Sequence, residues 1–314
     1  MHYLYYIMGK ADAQGRGNFF LAHLAKEADV CYNTRELPPK GMMITDKYTY
    51  DLPLLEKQLI AIMARAADRI KNSPFAIDEK DGPANIVTTN DVACQQFLYG
   101  ELRPLIPEAG FLGEENLQDV AHPLLWVIDP IDGTANYARG IADCAISVAL
   151  VQGKTPLVGA VYNIFTGEVF SATRGGGARR NGKPISVSGR DFSAGLLCTA
   201  MSVYNKSLAR TCDKIIYDAY MECNDVRRFG TCALELCYLA AGRCDLYFEM
   251  RVFPWDYAAG YLILQEAGGV LTGFAGEEVS FTRPIMLIGA NNRKNYDRLR
   301  AIVEKHMDHL PYTE

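Results

Sequence analysis

Apolar positions along the chain follow two rhythms. Between 53 and 71, Leu54, Leu55, Leu59, Ile60, Ile62, Met63, Ala66 and Ile70 recur at helical spacing and predict an amphipathic helix. A second helical pattern passes through Cys94, Phe97, Leu98 and Leu102. Two apolar strands follow, Phe111-Leu112 and the run Leu124-Leu125-Trp126-Val127-Ile128, each leading into acidic residues. From 146 to 187, turn signals at Gln152-Gly153-Lys154, Thr166-Gly167, Gly175-Gly176-Gly177 and Asn181-Gly182 divide the chain into an antiparallel meander. Beyond 190 strand and helix alternate, with strands near 196–202, 226–229, 246–248 and 285–289 and helices near 207–221, 231–242, 255–269 and 296–305. This change of rhythm predicts a 43–190 α+β half and a 191–314 α/β half of one domain. Residues 1–42 keep no sustained period, and the pattern places the biological start at Met42 or Met43, with 1–42 an extension.

Composition then narrows the class. Of 314 residues, 49% are hydrophobic and 22% charged, ordinary for a globular protein with a large core. Lys+Arg of 32 against Asp+Glu of 37 gives a net charge of −5, and no dense basic run appears, so neither nucleic acid nor an anionic membrane is an expected partner. No apolar run reaches the roughly 18 residues that a membrane span needs. The apolar opening, Met1 to Met8, lacks the basic flank and cleavage site of a secretory signal. Nine cysteines without a Cys-x-x-Cys pair fit a reduced cytoplasm, with Cys144, Cys232 and Cys237 acting as small hydrophobes. Gly153-Lys154-Thr155 lacks the leading glycine of a phosphate loop, Val148 standing in its place. His306 and His309 have no ligating partner nearby in sequence, and a surface helix accounts for them.

The acids carry the chemistry. Asp91, Glu114, the pair Asp129 and Asp132, and Asp256 each sit where an apolar strand or a helix start delivers a carboxylate into a turn. Asp129 follows five apolar residues, and the Pro130 turn holds Asp132 near it. Two carboxylates about 4 Å apart repel by roughly 4 kcal/mol at a partly buried site, which only a proton or a cation relieves. Hard oxygen ligands without histidine or thiolate select Mg²⁺, Mn²⁺ or Ca²⁺. Gly133-Thr134 opens a helix-like stretch whose free N–H groups suit an anion, and metal carboxylates beside such a helix start describe a phosphate ester site. Taken singly, Asp132 and Asp256 also read as helix caps and Glu114-Glu115 as a solvated loop.

These residues resemble a known family. Asp129-Pro130-Ile131-Asp132-Gly133-Thr134-Ala135-Asn136-Tyr137 resembles the first signature of the inositol monophosphatase family. Trp255-Asp256-Tyr257-Ala258-Ala259-Gly260, with Glu266-Ala267-Gly268-Gly269, resembles the second. Gly113-Glu114-Glu115 and Val87-Thr88-Thr89-Asn90-Asp91 resemble its other acidic motifs, and the likeness runs from about Met43 to the C-terminus. The resemblance implies a layered αβαβα sandwich of the sugar-phosphatase type, two or three Mg²⁺ ions, lithium sensitivity, a homodimer and a phosphorylated polyol or sugar as substrate. It implies that Glu114, Asp129 and the Ile131 carbonyl hold the first ion and Asp129, Asp132 and Asp256 the second, with a weaker third ion near Glu114. Asp91 and Thr134 would orient and deprotonate the attacking water, and Gly133, Thr134, Ala233, Glu249 and Asp256 would line the phosphate and substrate pocket. Lys80 stands where relatives place a basic residue near the metal loop, although a solvated lysine is an equal reading. Asn85 and Asn90 depart from the usual Asp and Thr. Glu249 resembles the residue that accepts a hydrogen bond from a substrate hydroxyl in inositol phosphatases; pairing with Arg251 or a neighbouring strand is an equal reading. Fructose 1,6-bisphosphate, histidinol phosphate or a 3′-phosphonucleotide are alternative substrates in the same fold, and a metal-bound scaffold for a protein partner is the non-catalytic alternative.

Overall fold

The computed structural model describes residues 41–45, 48–80, 82, 84–201 and 205–307. Of the expected extension 1–42 only Gly41 and Met42 are described, and residues 1–40 and His309 lie outside the described residues. A hairpin of β1 (Met42–Ile44) and β2 (Thr49–Asp51) leads into α1 (Leu52–Ile70). Asp51 caps α1 by accepting from Leu54 N–H, with Pro53 in the first turn where it lacks nothing by having no N–H. A second hairpin, β3 (Ile77–Glu79) and β4 (Ile86–Thr88), was not evident from periodicity and carries Lys80 just beyond β3. Then come α2 (Thr89–Leu102), β5 (Gly110–Gly113), β6 (Leu117–Asp119), β7 (Leu124–Asp132) and the single turn α3 (Thr134–Tyr137). The expected meander is β8 (Ala145–Gln152), β9 (Thr155–Asn163), β10 (Val169–Thr173), β11 (Gly177–Arg180) and β12 (Lys183–Pro184). Gly153-Lys154 is simply its first turn.

The second half runs β13 (Leu196–Ala200), α4 (Ala209–Tyr220), β14 (Asp225–Arg227), α5 (Cys232–Ala240), β15 (Leu246–Val252), α6 (Pro254–Glu266), β16 (Val270–Gly273), β17 (Ile285–Ala290) and α7 (Arg293–Glu304). Gly268, at φ +90°, ends α6 in a conformation that side chains resist.

Two sheets result. The larger has the order β12-β11-β10-β9-β8-β7-β5-β6, and the smaller β14-β13-β15-β17-β16. The core clusters give the layers. Leu59, Met63, Leu98, Trp126, Ile128 and Val148 join α1 and α2 to one face of the large sheet. Leu125, Val127, Leu236, Leu239, Tyr257, Ile263 and Leu287 place α5 and α6 between the sheets. Cys212, Ile215, Phe248, Ile288, Tyr296 and Leu299 put α4 and α7 on the far face of the small sheet. This is the layered αβαβα sandwich. Because β7 is covered on both faces, its sequence is a continuous apolar run rather than an alternation.

Candidate active site

The carboxylates meet at one end of the large sheet, where β7 delivers two of them. Opposite Ser147 to Ala145 of β8 the partners are Asp129 and Asp132, so β7 holds one extra residue in a bulge. Three residues apart on a regular strand, the two acids would face opposite sides; the bulge brings them to one side. This corrects the picture of Asp132 in a turn beyond the strand: Asp129, Pro130, Ile131 and Asp132 are all strand. Gly133 follows in the left-handed region, at φ +88°, where a Cβ would come within 3.1 Å of the Asp143 carbonyl and 3.3 Å of that of Gly230. The expected helix-like stretch at Thr134 is one turn long, too short for an appreciable dipole.

Each acid is tied by its own element. Asp91 is the third residue of α2: its Oδ2 accepts from Thr88 N–H at 2.8 Å in a capping box, and its Oδ1 accepts from Thr134 Oγ1 at 3.1 Å. Thr134 Oγ1 also lies 3.0 Å from the Ile131 carbonyl. Asp129 Oδ1 accepts from Ile131 N–H at 3.0 Å. Asp132 Oδ2 accepts from Thr231 Oγ1 and from Ala233 N–H at 2.7 Å, so α5 in the second half grips an acid of the first. Asp256 caps α6 by accepting from Phe253 N–H at 2.8 Å. Glu114 follows β5 and bonds Lys80 Nζ at 2.9 Å, as Glu115 also does. Lys80 is therefore exposed but not free: it is a cation paired with two of the acids.

Burial and mutual repulsion raise Asp91, Asp129, Asp132 and Asp256. Burial pushes Asp91 up to about 6 and Asp132 to about 7, the latter against hydrogen bonds from Thr231 and Ala233 that favour its charge. Asp129 is driven well above the ordinary carboxylate range by burial and then by Glu114, Asp132 and Asp256; Asp256 follows through burial and Asp132. Glu249, on β15, rises to about 7 through burial, with the Asp132 charge adding. It accepts from Tyr247 OH, whereas Arg251 lies over the Phe253 ring, so Arg251 is not its partner.

As donors, these hard oxygens without thiolate or imidazole suit a divalent cation such as Mg²⁺. Their mutual repulsion is what such an ion would relieve. Among the described residues no three acidic, histidine or cysteine groups close on a single point, so an ion would have to draw them together against their present ties, Lys80 to Glu114 among them. The Gly230-Thr231-Cys232-Ala233 helix start was expected at this pocket, and Thr231 is there, bonded to Asp132. Tyr247 was missed in the sequence; it had only its spacing of two from Glu249 on a strand. Elsewhere, Cys144, Cys232 and Cys237 are buried, with thiols pushed up by that burial. His306 bonds Asp218 at 3.0 Å. Among the described residues no helix is long and apolar enough to cross a membrane.

A family model described as the inositol monophosphatase family matches residues 52–308. The chain is 39% identical over 189 residues to the Nus factor SuhB of Xylella fastidiosa, covering 60% of this chain and 69% of that protein. It is 35% identical over 209 residues to inositol monophosphatase 1 of Solanum lycopersicum, covering 64% and 77%. The crystal structure of the extragenic suppressor protein suhB from Bartonella henselae superposes with a TM-score of 0.74 at 30% identity, covering 80% of this chain and 99% of that one. With bacterial relatives named Nus factors, the expectation that nucleic acid is not a partner gains no support.

Proposed function

The chain belongs to the inositol monophosphatase family, and from that premise we propose that it is a Mg²⁺-dependent phosphate monoester hydrolase acting on inositol monophosphate or a similar polyol or sugar phosphate. The observation that carries this reading is the gathering of Asp91, Glu114, Asp129, Asp132 and Asp256, from separate elements of both halves, into one mutually repelling set. Glu114, Asp129, Asp132, Asp256 and the Ile131 carbonyl would hold the ions, which supply charge neutralisation at the phosphoryl oxygens and a water made acidic enough to attack. Thr134, donating to Asp91, keeps its oxygen lone pairs for a water proton, so water to Thr134 to Asp91 is a ready path for that proton. The backbone at Gly133 and Thr134 would receive the phosphate. Ala233 N–H is engaged by Asp132 in this arrangement and would contribute by holding that acid.

A phosphate-release screen with Mg²⁺ across inositol 1-phosphate, fructose 1,6-bisphosphate, histidinol phosphate and a 3′-phosphonucleotide tests the proposal. Release from inositol 1-phosphate is expected, with a loss of about 10²-fold or more in Asp256→Asn. A chain inert toward every ester would remove the reading. The relatives named Nus factors favour a second reading, in which the same fold serves a macromolecular partner. Asp256→Asn separates the two, since that role should survive loss of hydrolysis.

A further inference from the structure

Tyr247 precedes Glu249 by two residues on β15, so both side chains leave the strand on the face toward the middle helices. Tyr247 is fully buried, and its hydroxyl donates to Glu249 Oε2 at 2.8 Å. The Cys232 sulfur lies 3.1 Å from that same hydroxyl oxygen. A phenol has one proton, here directed at the carboxylate, so the thiol is the donor to Tyr247 and the chain of bonds runs from Cys232 through Tyr247 to Glu249. At the same helix start, Thr231 and Ala233 hold Asp132. Three successive residues thus grip two carboxylates, Asp132 directly and Glu249 through Tyr247. Among the described residues nothing donates to Glu249 Oε1, which remains a directed acceptor. A carboxylate repels phosphate and only accepts hydrogen bonds, so its fitting partner is a hydroxyl on the alcohol part of an ester.

We propose that Tyr247, braced by Cys232, is a positioning residue that aims Glu249 at a hydroxyl of the substrate's alcohol moiety and so sets a preference for polyol phosphates over esters that lack hydroxyls. The inference rests on the reading of this site as a phosphate monoester hydrolase. The preference is read as the ratio of kcat/KM for inositol 1-phosphate to that for phenyl phosphate, with Mg²⁺ present. Tyr247→Phe is expected to lower this ratio roughly 10-fold, mainly through KM for the inositol ester, the size expected for a misdirected charged hydrogen bond. Glu249→Gln should lower it as well, and the double variant should fall no further than Glu249→Gln alone. Cys232→Ala should lower the ratio less, and Cys232→Ser, which keeps a donor, should restore it. Equal losses on both esters in Tyr247→Phe, or additive losses in the double variant, would overturn the proposal. If the parent chain hydrolyses neither ester, the hydrolase reading fails, and calorimetric binding of inositol 1-phosphate against inorganic phosphate decides instead. A parent preference for the inositol ester that Tyr247→Phe lowers supports the relay; a parent without that preference, or a variant that keeps it, overturns it.

Discussion

Asp91 holds the start of α2 with one carboxylate oxygen and Thr134 with the other. Because an amide oxygen can still accept the capping bond, Asp91→Asn should keep the helix while removing the proton acceptor. We expect phosphate release to fall roughly 10²- to 10⁴-fold with an unchanged far-ultraviolet circular dichroism spectrum. Thr134→Ala should lose roughly 10²-fold, and Thr134→Ser should recover most of it. A second expectation concerns pH. Asp91 at about 6, and Asp132 and Glu249 at about 7, lie above the value of about 4 that carboxylates have in an unfolded chain. The folded, metal-free chain therefore binds these protons more tightly than the unfolded one. That contribution is fully present below about pH 4 and is lost as pH rises through about 7. In chelator, Tm should be higher near pH 5.5 than near pH 8, and added Mg²⁺ should raise Tm more at about pH 8. A metal-free Tm that rises across this interval would contradict the origin assigned to these shifts. Asp91 and Asp132 were legible as candidates from position, Glu249 only through the family resemblance. Their raised proton affinity was not, because it comes from neighbours on other elements.

Among elements, α1 and the meander were the most legible, since α1 buries one face at helical spacing over many residues and Gly-containing turns bound the meander's apolar strands. The short hairpin β3-β4 was not, because its strands are held by two-strand pairing and leave Ile77 exposed, so no apolar period marks them. The bulge in β7 was also hidden: a bulge is defined by what lies opposite, and β8 supplies that. Packing between elements sets a further expectation. A Cβ on Gly159 of β9 would sit 3.0 Å from Ala259 Cα and 3.1 Å from the Ala259 carbonyl of α6, backbone that cannot swing aside. Gly159→Ala should therefore cost about 1–3 kcal/mol, read as a lowered urea midpoint with an unchanged denaturant slope. No loss at that position would mean that α6 rides farther from the sheet than this contact implies.

Across the whole molecule, the halves on either side of residue 190 share one interior. The core cluster between the sheets draws on Leu125 and Val127 from the first half and on Leu236, Ile263 and Leu287 from the second. Hydrogen bonds cross as well: Asn136 Nδ2 donates to the Phe229 carbonyl at 2.7 Å, and Ser147 Oγ to that of Trp255 at 3.2 Å. We expect one cooperative unfolding transition rather than two. Trp126 lies in the large sheet and Trp255 in α6, so intrinsic fluorescence and far-ultraviolet circular dichroism should give coincident melting curves. Separated transitions would show that 43–190 and 191–314 are independent domains.

The sequence by itself determined the longer strands and helices and their order, the family and the candidate acids. Each of these follows from local periodicity or from residues adjacent in the chain. Only the tertiary structure decided that a bulge turns Asp129 and Asp132 to one side, that Thr231 and Ala233 reach back to hold Asp132, that Lys80 bonds Glu114, and that Tyr247 aims Glu249. Those relations join residues up to 101 positions apart. They depend on which strand lies opposite which and on charges that repel only once folding removes the water between them, quantities with no counterpart in a linear text.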